Sequence, residues 1–313
     1  MAGKERIAIL GAGLMGHGIA QIFAANGHDV SITDVSDEIL AGAVENVRKN
    51  LVFLAENGIG KIEEVEPAVK RITTTSSLKD AVSGADFIVE AVSEKLELKQ
   101  QLFREAERFC SPETILATNT SVISITEIAA RCEKKDRVVG THFWNPPYLI
   151  PLVEVVPGDE SAPRFVDATY DIMKRVGKHP VKVKKDVPGF VGNRLQHALW
   201  REAVSIVDKG IADAATVDEV IANSFGIRLP VLGPLETADM VGLDLTLQIH
   251  DYILKHIENS PAPAPVLKQK VAEGNLGFKT GRGFQEWSKE GIERSRKRLL
   301  EHLIRWNREN KDR

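Results

Sequence analysis

Residues 6–34, RIAILGAGLMGHGIAQIFAANGHDVSITD, decide how the rest of the chain is read. A short apolar run, residues 6–10, leads at once into Gly11-Ala12-Gly13-Leu14-Met15-Gly16, and a helical pattern follows that ends at Asn26-Gly27. Strand, GxGxxG and helix in that order are the dinucleotide fingerprint in the context it requires. Gly11 permits the tight turn, Gly13 lets the backbone approach a pyrophosphate, and Gly16 allows close helix–strand packing. Leu14 and Met15 complete the loop at the helix N-terminus, which faces the phosphates. The next strand-like run, residues 29–33, ends in Asp34, about 20 residues on, where an acid accepts a ribose 2′-hydroxyl. Val35 and Ser36 follow, with no arginine placed for a 2′-phosphate, so NAD is expected over NADP. A glycine turn without a ligand is the competing reading. FAD is the competing dinucleotide, although nothing else in the chain suggests a flavin domain.

Working outward, residues 36–57 read as one long helix stopped by Gly58, and the charged residues 60–71, with Pro67, as a short helix or loop. Strand-like runs recur at 72–75, 87–91, 114–117, 138–143, 152–156 and 179–183. Helical patterns lie between them, at 94–109, at 162–176 and in the capped segment beginning Ser124-Ile-Thr-Glu127. This alternation predicts a mainly parallel, doubly wound sheet with ligands at the carboxyl ends of its strands, where Asp34, Glu90, Asn119 and His142 fall. Glu90 and Glu94 read equally well as solvated strand-end charges. Beyond Asp186-Val-Pro-Gly-Phe-Val-Gly-Asn-Arg194 the period changes, and residues 195–209, 216–223, 235–257 and 265–273 are helical in pattern. The expected fold class is α/β: a Rossmann-type doubly wound sheet over residues 1–186, followed by a smaller all-helical domain over 187–313. Residues 289–313 form an amphipathic helix with nine basic and five acidic residues and with Ile292, Leu299, Leu300, Leu303 and Ile304 on one side. Packing on the protein or on a partner subunit explains that face better than nucleic acid does.

Composition narrows the class further. Hydrophobic content of 43% and charge of 27% are ordinary for a globular protein, and a formal net charge of -3 gives no general reason to expect nucleic acid or a membrane as partner. The two cysteines, Cys110 and Cys132, make neither a CxxC nor a disulfide framework, so no structural zinc is expected and a reducing compartment follows. The chain enters a strand without a signal-peptide apolar region, and no run approaches the roughly 18 apolar residues of a membrane span. A cytoplasmic location is the expectation.

The chemistry is concentrated in residues 138–156, VVGTHFWNPPYLIPLVEVV, where His142 and Glu154 each sit in an apolar run that reads as a strand. The Asn145-Pro146-Pro147 break makes a turn, so the two strands can bring imidazole and carboxylate together. Such a pair is how a general base is built, the carboxylate fixing the tautomer and stabilising the imidazolium. A core histidine beside a strand-end charge is the plainer alternative.

With these residues assembled, the chain resembles the 3-hydroxyacyl-CoA dehydrogenase family over nearly its whole length. The resemblance lies in GAGLMGHGIAQIFAANG, FIVEAVSEKLELKQQLF, ILATNTSVISITEIA and GTHFWNPPYLIPLVEVV, and continues through VPGFVGNRL, GPLETADMVGLD and LGFKTGRGF. It implies a Rossmann-type first domain, a helical second domain that dimerises, and NAD-dependent oxidation of a secondary alcohol without a metal. Residue by residue, it places the catalytic pair on His142 and Glu154, the substrate-binding serine on Ser121 and the asparagine on Asn193. Cofactor contacts fall on the glycine loop, Asp34, Ala91, Glu94, Lys99, Asn145 and Lys279, although Lys99 and Lys279 read equally well as exposed lysines.

The chain departs from the family pattern in two places. Acyl-CoA members carry S-K-x-x-x-K late in the second helix, where it meets the nucleotide end of CoA, whereas Val52-Phe53-Leu54-Ala55-Glu56-Asn57 has no lysine. Those members also tend to have a methionine-lysine pair before LVEV, where this chain has Leu149-Ile150-Pro151. The NPPYLIP form resembles the branch of lambda-crystallin/L-gulonate 3-dehydrogenase, carnitine dehydrogenase and a pyridine-aldehyde dehydrogenase. Trp144, Tyr148 and Phe53 are candidate walls of a smaller pocket. The resemblance therefore implies a small CoA-free 3-hydroxy acid as substrate, with a 3-hydroxyacyl-CoA as the alternative. A crystallin-like structural role or NAD sensing is the alternative of another class.

Overall fold

The computed structural model describes residues 4–310. By packing, the chain divides into Met1–Asn193 with Leu299–Arg313, and Arg194–Arg298. The first unit is built on eight strands: β1 Ile7–Leu10, β2 Val30–Thr33, β3 Ile72–Thr75, β4 Phe87–Glu90, β5 Ile115–Thr118, β6 Val138–Phe143, β7 Leu152–Pro157 and β8 His179–Lys182. They lie in the order β3-β2-β1-β4-β5-β6-β7-β8. β1 is therefore flanked by β2 and β4, and this reversal of strand order opens a crevice at the carboxyl ends. Every residue of β1 is buried, because helices cover both faces of the sheet. Ile7 and Ile9 join Phe23, Ile32 and Val89 in one layer, and Ala8 and Leu10 join Ile88, Phe103 and Leu116 in the other, as the two-residue period requires.

Helix α1, Leu14–Ala25, follows β1, and α2, Asp37–Glu56, follows β2. Ser36 caps α2, accepting from Ile39 N, and Asp37 and Glu38 lie in its first turn, where carboxylates favour the helix dipole. Residues 60–71 hold a 3-10 turn, Ile62–Glu64, and a short helix, Val65–Val69, and the pattern at 94–109 becomes the helix Leu96–Ala106. Leu78–Val82 is a helix that the sequence pattern did not single out. All strand pairs are parallel except β6 with β7. The Pro-broken link between those two is too short for a crossover, so β7 must return antiparallel.

In the second unit the pattern expected as one helix over 235–257 is two, Pro234–Val241 and Leu243–Ile253. Gly242, at φ 106°, separates them, a backbone conformation in which no helix continues. Large apolar side chains lie open along this unit: Leu235 is 80% exposed, Leu243 and Leu247 62%, and Tyr252 71%. The C-terminal helix spans Lys289–Glu309, and its last turns belong to the first unit. Residues 311–313 of the expected C-terminal helix lie outside the described residues. Among the described residues no helix is long and apolar enough to cross a membrane.

Candidate active site

The antiparallel register pairs His142 directly with Glu154 across β6 and β7. Opposed residues in such a pair share one face of the sheet, so the twelve intervening residues cost the pair nothing in reach. His142 Nδ1 lies 2.8 Å from Glu154 Oε2, and the two residues are 4% and 1% exposed. The other carboxylate oxygen accepts from Val191 N and Gly192 N, each at 3.0 Å. Burial pushes the Glu154 carboxyl up, but the bonds from His142, Gly192 and Val191 outweigh it and hold the group below the usual carboxylate range. An ionised carboxylate only accepts, so Nδ1 carries a proton, and in the neutral imidazole Nε2 is the acceptor. Trp144 and Phe190 pack on the imidazole, with ring centroids 5.1 and 5.8 Å away.

The two amides that reach Glu154 come from the VPGFVGN stretch. Gly189 at φ 78° and Phe190 at φ 48° make a left-handed turn, a conformation that a phenylalanine holds only when its surroundings enforce it. Phe190 is buried on the imidazole side, and Asp186 anchors the start of the stretch by accepting from Ser124 Oγ, Thr126 N and Thr126 Oγ1. A Cβ on Gly192 would stand 2.5 Å from the Trp144 ring, so this position admits glycine alone without repacking. The turn also delivers Asn193, whose Nδ2 donates to the Ser121 carbonyl at 2.9 Å. His142, Glu154, Ser121 and Asn193 are thus joined through one turn within one unit.

Glu90, at the end of β4, is fully buried, as is Lys99, and the two are ion-paired at 2.7 Å. Both readings as exposed charges are corrected: the carboxylate is driven inside because Lys99, Thr118 Oγ1 and Val92 N together satisfy it. Burial raises its pKa, against those bonds. Glu94, which is 37% exposed, takes Lys99 at 3.2 Å and accepts from Thr120 Oγ1, Ser121 N and Val122 N. These bonds hold it below its ordinary range in spite of burial. It therefore shapes the turn that presents Ser121. Asn119 Oδ1 accepts from Phe143 N and ties the end of β5 to the strand bearing His142.

The glycine loop fits a pyrophosphate. A Cβ on Gly16 would lie 1.8 Å from Gly11 O, and one on Gly11, at φ 103°, 2.8 Å from Ala91 O, whereas Gly13 faces open space. Gly13 caps α1 without a side-chain bond and the first turn holds no acid, so its amides remain for an anion. Leu14 and Met15 open that helix. Asp34 stands at the end of β2, where Oδ2 accepts from Ala12 N and Oδ1 from Val35 N, which leaves lone pairs for a hydroxyl. Asn145 is exposed at the start of the link after β6, and Lys279 lies in the second unit in a turn before Gly281. Sequence reasoning passed over Gly18, whose Cβ would meet Pro147 at 2.6 Å, and Lys178, whose ammonium donates to Pro147 O and Ile150 O. A glycine two residues after the fingerprint was the available signal for the first; a lysine under a loop leaves none. Among the described residues no group of three His, Cys, Asp or Glu is placed to hold a metal ion.

A reversed-order parallel sheet, a glycine cradle, an acid after the second strand and a buried His–Glu pair define an NAD-dependent dehydrogenase. Residues 6–187 match the NAD-binding domain of 3-hydroxyacyl-CoA dehydrogenase and residues 189–287 its C-terminal domain, so the chain belongs to the 3-hydroxyacyl-CoA dehydrogenase family. It is 36% identical over 282 residues to 5-formyl-3-hydroxy-2-methylpyridine 4-carboxylate 5-dehydrogenase of Mesorhizobium japonicum, covering 90% of both chains. To the mitochondrial hydroxyacyl-coenzyme A dehydrogenase of Homo sapiens it is 37% identical over 290 residues, covering 90% of this chain and 91% of the other. The crystal structure of a 5-formyl-3-hydroxy-2-methylpyridine 4-carboxylic acid 5-dehydrogenase superposes with a TM-score of 0.90 at 32% identity, covering 99% of this chain and all of that one.

Proposed function

We propose that the chain oxidises the secondary alcohol of a small, CoA-free 3-hydroxy acid to the 3-oxo compound, with His142 as general base. The observation that carries this is the buried 2.8 Å bond between His142 Nδ1 and Glu154, which leaves Nε2 to take the hydroxyl proton. Glu154 then stabilises the imidazolium, and its own two backbone donors keep it ionised and still. Ser121 and Asn193, bonded to each other, orient the reacting oxygen and a neighbouring carbonyl. NAD, held by Gly11, Gly13, Leu14, Met15, Gly16, Asp34, Ala91 and Asn145, supplies the hydride acceptor. Glu94 and Lys99 serve it by fixing the turn at Ser121. Residues 1–186 are the cofactor domain, and the substrate and dimerisation domain follows it, with residues 299–313 returning to the first unit.

The open Leu235, Leu243, Leu247 and Tyr252 supply the apolar face of a homodimer, because a monomer seldom leaves so much apolar area bare. Free Cys110 and Cys132 suit a reducing, cytoplasmic setting.

A 3-hydroxyacyl-CoA substrate is the second reading, favoured by the 37% identity to the hydroxyacyl-coenzyme A dehydrogenase. NADH formation at 340 nm, with NAD and free 3-hydroxy acids in one panel and (S)-3-hydroxyacyl-CoA thioesters in the other, separates the two. Turnover of the thioesters at ordinary enzyme efficiency, with the free acids inert, would reverse the choice. Silence on both with NAD bound, or full biological function in His142→Ala without turnover, would favour the structural or sensing role.

A further inference from the structure

We propose that the last turns of the C-terminal helix, from Leu299 to Glu309, are a specificity element that closes the outer end of α2, so that a coenzyme A tail has no seat there. The proposal rests on the reading of the chain as a hydroxy-acid dehydrogenase and names what restricts its substrate. The helix Lys289–Glu309 lies beyond the part of the chain that matches the family's domains, which ends at residue 287.

Its packing is specific. Leu54 of α2, Leu149 of the link after β6 and Ile304 of the helix form their own buried cluster, ringed by Phe53, Ile59, Tyr148, Leu300 and Leu303. Asn307 Nδ2 donates to Leu149 O at 2.8 Å, a side chain–backbone bond that fixes the helix to the link. The Arg308 guanidinium lies over Gly58, just past the end of α2. Phe53 and Asn57 are the positions at which the family pattern S-K-x-x-x-K, by the resemblance above, implies two lysines. The first is part of the apolar cluster, and the second turns its amide back to Phe53 O at 2.8 Å.

A phosphate brought to the positions of Phe53 and Asn57 would meet hydrocarbon and a satisfied amide, the cation nearest the end of α2, Arg308, being carried by the helix itself, and it would have to separate that packed helix from α2. Lys178 holds the carbonyls of Pro147 and Ile150 in the same link. The link that leaves the His142 strand is thereby pinned at three carbonyls, those of Pro147, Leu149 and Ile150, and Tyr148 and Phe53 act as its wall through the helix rather than by themselves.

The test is isothermal titration of coenzyme A itself, which needs no turnover and so stands apart from the success or failure of the dehydrogenase reading. The full chain is expected to show no saturable binding at 1 mM CoA, on the order of the weak limit of specific association, while NAD binds. Phe53→Lys/Asn57→Lys in the full chain is expected to bring no gain, and the same pair in a chain ended after Arg298 at least about a tenfold gain in CoA affinity. If the shortened chain loses NAD binding and so does not fold, the lysine pair in the full chain and a matched turnover comparison decide: a 3-hydroxybutyryl-CoA should be used no better than its N-acetylcysteamine thioester. Saturable CoA binding by the unaltered chain below about 100 µM, especially if Arg305→Ala/Arg308→Ala abolishes it, would make the helix a support for CoA and overturn the proposal.

Discussion

Glu90 and Glu154 are equally buried strand residues, and each carboxylate is saturated with donors, yet only one stands in a position to do chemistry. Glu90 takes Lys99, Thr118 and Val92; Glu154 takes His142, Val191 and Gly192. The difference is in the partner. An ammonium offers only donors, and Lys99 directs its own to Glu90 and Glu94. An imidazole bonded through one nitrogen still has the other. Burial of a charge therefore serves a structural knot and the proposed base alike, and what separates them is the unused valence of the partner.

The largest effect that sharpens this contrast is at the His–Glu pair. His142→Ala and Glu154→Gln should each lower kcat by about 10²–10⁴-fold, the range of a positioned general base, with NAD affinity and thermal midpoint little changed. A loss of stability matching the loss of activity would make the pair a second structural knot. Next in size is Glu90→Gln, which leaves the buried Lys99 ammonium with Glu94 as its remaining carboxylate and should destabilise the first unit by about 3 kcal/mol in denaturant unfolding, while the pH profile of the folded remainder is unchanged. Replacing both, Glu90→Leu with Lys99→Met, should recover most of that stability. If the double variant folds yet has lost turnover, the contrast breaks, because the knot then serves the site through the turn at Ser121 that Glu94 and Lys99 fix. Gly192→Ala should cost about 1–3 kcal/mol, since the new methyl meets Trp144, and should lower kcat by moving the two amides that hold Glu154.

The contrast also marks where the sequence could be read and where it could not. The strands, the glycine loop, Asp34 and the opposed His142 and Glu154 follow from periodicity and punctuation, because short-range rules govern them. Glu90 could not be placed: one glutamate at a strand end is solvated or buried according to whether a lysine nine residues on turns inward, and a single sequence carries no sign of that. The role of VPGFVGN was visible only as a family mark, since its function is to aim two amides across the fold at Glu154. The break at Gly242 was available in principle, but the apolar period runs through it. The seat of the C-terminal helix was legible as an apolar stripe, without its partner.

Lys178 adds a half-buried charge to the comparison and gives the smallest effect. Its donors meet the carbonyls of Pro147 and Ile150, and burial pulls its pKa down to about 8 from an ordinary 10.5. Below pH 8 the ammonium is protonated in both folded and unfolded chains, and the folded state bears the cost of burying it. Between about pH 8 and 10.5 the unfolded chain binds the extra proton, so stability must rise with pH through that window. Urea unfolding at pH 7.5 and pH 9.5 should show that rise, by about 1–2 kcal/mol, and Lys178→Met should flatten it. If Lys178→Met leaves the slope untouched, the rise comes from another group, and the two carbonyls hold a charged lysine without a counter-ion.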